Sequence, residues 1–133
     1  MSCRTKSSQK LFTFEENKSK LTLENVEQVE STKIVVDGCE INDDSIRCDY
    51  MLLAKEKEFY IELKGQDLLH AVAQLKATIK RLSPNFKSKN KKSYVICTRS
   101  PLSSTQIQNL KFDLIKNFNS DLQIKSSPYK DKY

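Results

Sequence analysis

The sequence predicts a single α/β domain with a mixed central sheet: an antiparallel meander, a crossover strand, and helices packed against them. Three observations carry this reading. Short alternating runs between residues 33 and 64 are separated by turn residues rather than long connections, which makes them antiparallel neighbours. A helical seam follows at once, with Leu68, Val72, Leu75, Ile79 and Leu82 recurring at helical spacing. Beyond it, residues 93–98 (SYVICT) are short and nearly all apolar, the character of a buried strand that rejoins the sheet through the helix.

Taken in order, residues 1–10 read as a loose basic arm, and residues 11–133 as one domain. Residues 11–15 (LFTFE) alternate and predict a short strand. Residues 21–32 fit neither period: Leu21 and Leu23 alternate, whereas Val26 and Val29 have helical spacing. Residues 33–41 predict a strand bent at Gly38, and Asn42, Asp43 and Asp44 a turn. Residues 46–54 and 59–64 predict the next two strands, with the charged run from Lys55 to Glu58 as their hairpin loop. Asp67 is placed to cap the first helix, and Ser83-Pro84 ends it. A second helix is predicted from Ser103 to Phe118, with Ile107, Leu110, Leu114 and Phe118 as its seam; a last strand is predicted at residues 122–125, followed by a frayed polar tail.

Composition narrows the function classes. No apolar run approaches the ~18 residues a spanning helix needs, and the basic N-terminus has no apolar segment behind it. Cys3, Cys39, Cys48 and Cys97 form no CxxC pair and the only histidine is His70, so a zinc set is disfavoured and reduced thiols of a cytoplasmic protein are expected, with no membrane partner. With Gly38 and Gly65 the only glycines, there is no Walker A or GxGxxG loop. Lys and Arg number 23 against 17 Asp and Glu, a net charge of +6, which points to a polyanionic partner, DNA being the usual one. Lys80, Arg81, Lys87, Lys89, Lys91, Lys92 and Arg99 gather after the first helix as the candidate phosphate-binding face.

The chemistry concentrates between residues 48 and 82. Alternation puts Tyr60, Glu62 and Lys64 on one face of their strand, and Asp49, Met51 and Leu53 together on the preceding one. With Glu56-Lys57 as the loop, Asp49 lies opposite Lys64 and diagonal to Glu62; a slip of two residues keeps the carboxylates on one face, and a slip of one separates them. Two converging carboxylates suit a hard divalent cation, and a nearby lysine can stabilise developing negative charge. An ordinary cross-strand charge pair on a solvated face would share the pattern.

Asp49 followed by Glu62-Leu63-Lys64, on consecutive strands and ahead of a helix, resembles the core of the PD-(D/E)xK nuclease superfamily, the restriction-endonuclease-like and Holliday-junction-resolvase-like enzymes. The resemblance covers residues 33–98. It implies an αβββαβ core and a Mg2+- or Mn2+-dependent endo- or exodeoxyribonuclease. It also implies that Asp49 and Glu62 are metal ligands, joined by the Leu63 carbonyl, and that Lys64 is the catalytic lysine. Gln74 resembles a glutamine that several branches carry on this helix and aim at the site. Residue 48 is Cys where the nominal motif has proline. Members often draw a further acid from a first helix; here Glu24, Glu27 and Glu30 are the candidates, with Asp37 and Glu40 as alternatives on the preceding strand. A chain this small implies a homodimer or a protein partner for target recognition. The alternative is a catalytically inactive module of the same fold that binds nucleic acid or protein.

Overall fold

A computed structural model of the chain describes residues 2–63, 67–98 and 102–133. The elements run β1 (Arg4–Ser7), β2 (Leu11–Glu16), β3 (Ser19–Glu24), β4 (Ser31–Val35), β5 (Tyr50–Ala54), β6 (Lys57–Leu63), α1 (Leu68–Leu82), β7 (Lys91–Cys97), α2 (Ser104–Phe118), β8 (Ser120–Ser126) and β9 (Tyr129–Lys132). The main sheet has the order β1-β4-β5-β6-β7-β8. β4, β5 and β6 form the expected antiparallel meander, while β7 and β8 run parallel to β6, each entered through a helix. No helix among the described residues is long and apolar enough to cross a membrane.

Both faces of this sheet are covered. On one, α1 and α2 pack over Met51, Tyr60, Val95 and Leu122. On the other, where the sequence offered no helix, a small sheet of order β2-β3-β9 lays Phe12, Phe14, Leu21 and Leu23 over Leu52, Phe59, Ile61, Leu63, Tyr94 and Ile96. Strands buried on both faces lose polar alternation, which is why β6 and β7 read as apolar runs. The helices therefore line one face only, and the ambiguous residues 21–32 begin as strand β3, with Leu21 and Leu23 inward.

The helices form for local reasons. Asp67 accepts the His70 N–H at the start of α1, whose buried residues include Leu68, Val72, Leu75 and Ile79 of the expected seam. α2 opens with a capping box between Ser103 and Gln106, and Asn119 closes it in the left-handed conformation at φ 51°.

Three expectations are corrected here. Residues 1–10 are no loose arm: β1 pairs with β4, and Arg4 Nε reaches Glu40 Oε1 at 2.6 Å. Cys3 and Cys39 are not reduced thiols; they form a disulfide across a sequence separation of 36 residues, while Cys48 and Cys97 are free and buried. The pairing follows from β1 folding onto β4 next to the returning turn, where Gly38 takes φ 76° and Asp37 bridges Ile41. Nor is the tail frayed: β9 pairs with β3, and Tyr133 closes the end by accepting from Val26 N and donating to Glu24 O. Loop-closure entropy for a span of this length is worth about 3–4 kcal/mol, so Cys39→Ser is expected to lower the denaturation midpoint of the oxidised protein by that free energy. Equal urea midpoints for the variant and the oxidised wild type would refute it.

Candidate metal and nucleic-acid site

The site is built on the β5–β6 hairpin. Its two turn residues are Lys55 and Glu56, both at positive φ (52° and 58°), and Tyr50 pairs with Ile61. The register differs by two residues from the one expected with Glu56-Lys57 as the loop, because nothing in a Lys-Glu pair announces a left-handed turn. The slip is even, so faces are preserved within the ladder. The ladder ends at Tyr50 opposite Ile61, and Asp49 N bonds the same Ile61 O at 3.1 Å, so Asp49 and Tyr50 share one partner as in a β-bulge and the alternation does not carry on to Asp49. Both carboxylate residues are buried, Asp49 at 4 % exposure and Glu62 at 0 %.

Asp49 is the centre of the arrangement. Its Oδ2 accepts the backbone N–H of Leu63 at 2.7 Å, which locks the β5 entry to the end of β6. Ligand oxygens of Asp49, Asp37 and Glu16 lie within 4.8 Å of one another, around a cleft of about 290 Å³ that Val35 and Tyr50 also line. Burial first, and then the neighbouring carboxylates of Glu16 and Asp37, raise the Asp49 pKa to about 7, against the opposing Leu63 N–H. Asp37 is one of the five acids put forward from sequence, and it comes from the turn after β4 rather than from a helix. Arg47 Nε lies 2.9 Å from Asp37 Oδ1. Glu16 was missed, although a signal existed: it continues the inward face of β2 two residues beyond Phe14, whose ring packs on Tyr50 at 5.4 Å. Glu24, Glu27 and Glu40 are engaged elsewhere, with Lys10 and Lys130, with Lys55, and with Arg4. Glu30 is exposed. Glu62 is not a member of the three-carboxylate group; it faces the helix layer, and its charge acts on the buried Cys48 thiol, which burial above all pushes up to about 12.

α1 holds the approach to Asp49. Gln74 Nε2 donates to Arg47 O at 2.9 Å, and Thr78 Oγ1 accepts from Cys48 N at 2.8 Å while donating to Gln74 O. Gln74 and Thr78, four residues apart on α1, thus grip consecutive residues of the strand entry. Gln74 Oε1 is buried with no hydrogen-bond partner among the described residues. His70 is exposed. Lys64 lies outside the described residues, as does Arg99.

The basic cluster divides. Lys80, Arg81 and Lys87 are exposed, and Lys80 and Lys87 border a hollow floored by Phe86 and Phe118. Arg81 pairs with Asp43, and Lys89 is half-buried. Lys91 and Lys92 do not belong to a phosphate-binding face. Lys91 is 4 % exposed, and its ammonium donates to Lys89 O at 2.6 Å and Phe118 O at 2.8 Å, with Asn85 O at 3.4 Å. Lys92 points to the opposite face, where it meets Asp131 Oδ2 at 2.8 Å beside the Tyr94 hydroxyl. Strand alternation within β7 sends these neighbours to opposite sides of the sheet.

No protein-family model matches this chain, and no curated protein or solved structure does so either.

Proposed function

We propose that this chain is a divalent-metal-dependent nuclease acting on DNA, on a restriction-endonuclease-like core. The observation that carries the reading is the carboxylate group of Asp49, Asp37 and Glu16, whose ligand oxygens lie within 4.8 Å of one another beside the end of β6. The meander, crossover helix and parallel strand follow the order that the resemblance implies, with the β2–β3 hairpin ahead of the meander where that core has a helix.

The donor set fits Mg2+ or Mn2+: hard carboxylate oxygens within 4.8 Å of one another, the central one resisting ionisation through burial first and its acidic neighbours second. Asp49 and Asp37 would be the ligands, with Glu16 beside them and Glu62 on the adjoining strand. Such a cation, when bound, eases deprotonation of water and offsets charge on the scissile phosphate. The chain's own residues do the positioning. Leu63 N–H orients the Asp49 carboxylate, and Gln74 and Thr78 fix the backbone before it. Arg47 holds Asp37. Lys64 is assigned to charge stabilisation from its place in the Glu62-Leu63-Lys64 triplet, and Lys80, Arg81 and Lys87 to the DNA backbone.

Incubation with Mg2+ or Mn2+ and plasmid, single-stranded or branched DNA tests the proposal. Cleavage of at least one substrate is expected, with Glu62→Gln and Lys64→Ala reducing the rate by about 100-fold or more. Absence of cleavage on all three, or full activity of Lys64→Ala, would sink it. The Arg47–Asp37 pair favours a second reading, because it already supplies a positive charge to the cluster: a module of this fold that binds DNA without cutting. Salt-sensitive DNA binding with no heat of Mn2+ binding would select that reading.

A further inference from the structure

The two outer edges of the main sheet differ. β1 is four residues long, tied down beside the Cys3–Cys39 disulfide. β8 is seven residues long, pairs with β7 on one side, and has no strand on its other side among the described residues. A long, open edge is a template for another strand, and proteins normally blunt it. Here charged residues stand beside exposed apolar ones. α2 buries only Leu114 and Phe118, and it leaves Phe112 and Ile115 exposed at 63 % and 49 %. Together with Gln108 and Lys111 they line a groove of about 290 Å³ that ends on Ser120, Asp121 and Leu122 of β8.

The order of residues in β8, SDLQIKS, names the occupant. We propose that β8 pairs antiparallel with β8 of a second copy of this chain about a two-fold axis at Gln123, joining the two main sheets into one. A two-fold axis perpendicular to the sheet requires a residue to face its own counterpart. With Gln123 at that position, Asp121 lies opposite Lys125 of the second copy, twice by symmetry, and Leu122 lies opposite Ile124 of the second copy. Moving the axis to Leu122 or Ile124 sets Asp121 against Gln123 or Ser127 and loses both charge pairs. The faces agree with the packing. The register with β7 puts Asp121 and Lys125 on the side of Lys92 and Ile96, away from the helices, and Leu122 and Ile124 on the helix side with Val95. Asp121 is exposed and Lys125 half-buried, and neither forms an ion pair among the described residues. Phe112 and Ile115 of each copy would close over the joined strands from the helix side.

Sedimentation equilibrium over a range of concentrations tests this, with charge-reversed variants. Wild type is expected to dimerise. Asp121→Lys alone and Lys125→Glu alone, each placing like charges opposite one another twice, should weaken association at least about tenfold. An equimolar mixture of the two single variants should recover the dimer, because opposite charges then meet at both positions. Circular dichroism of each variant confirms folding. A wild-type monomer at all concentrations, or a dimer that neither reversal weakens, overturns the proposal, as does a mixture that associates no better than its components.

Discussion

Asp49→Asn will raise the thermal stability of the metal-free protein at pH 8 while abolishing the proposed cleavage. The carboxylate is 4 % exposed, and burial with the neighbouring Glu16 and Asp37 raises its pKa to about 7. An acid whose folded pKa exceeds its unfolded value retains its proton longer in the folded state. Stability is thus highest below the unfolded pKa, near 4, and falls as pH rises through about 7. Above that, the ionised group costs on the order of 3 kcal/mol. Asparagine escapes this cost, and its amide oxygen can still accept the Leu63 N–H that Asp49 Oδ2 accepts now. The melting temperature of the variant should exceed that of wild type by roughly 10 °C at pH 8, with the gap closing towards pH 4. Mn2+ should stabilise wild type at pH 8 and leave the variant unmoved. A variant that melts lower than wild type across the whole range would show that the charge is structural.

Lys91→Met acts in the opposite sense. Wild-type Lys91 spends its ammonium on the carbonyls of Lys89 and Phe118, at the end of α2 where the helix dipole favours a cation. Methionine preserves the apolar stem and leaves those carbonyls unsatisfied, at a cost of about 3 kcal/mol. Urea unfolding should show the loss directly, while the salt dependence of DNA binding stays as in wild type. Lys80→Ala or Lys87→Ala should instead leave stability alone and reduce the salt slope by about 1 each. A stable Lys91→Met protein with a reduced slope would return Lys91 to the phosphate-binding face.

What could be read from sequence divides along physical lines. The helices were legible because period, cap and breaker agree: Asp67, the seam from Leu68, and Ser83-Pro84 all mark α1. That Asp49 comes to the end of β6 was legible from the hairpin, although the expected shared face with Glu62 is not formed: Asp49 and Tyr50 both face Ile61, and the Asp49 carboxylate joins Glu16 and Asp37 while Glu62 faces the helices. The exact register was not legible, since a left-handed turn made by Lys55 and Glu56 has no compositional mark. The small sheet was also hidden, because β9 joins β3 across more than 100 residues and pairs polar residues such as Lys130 and Lys132 that no period distinguishes from a tail. The split of Lys91 from the other cations is a burial effect. Composition reports that a lysine is present, not that a helix end waits for it.

The turn at Lys55-Glu56 governs the far end of its hairpin. It sits five residue pairs from Tyr50, roughly 17 Å by strand rise, in the kind of tip where insertions and deletions usually accumulate harmlessly. Here length is read in steps of two. Adding a pair of residues slides β5 along β6 without changing sides. Adding one would exchange the faces of Tyr50 and Met51, turning Tyr50 away from Phe14 and towards the helices, unless a bulge absorbed the extra residue. The lineage that carries this site should therefore show free substitution at the tip and parity in its length, a reading frame written in backbone geometry rather than in codons.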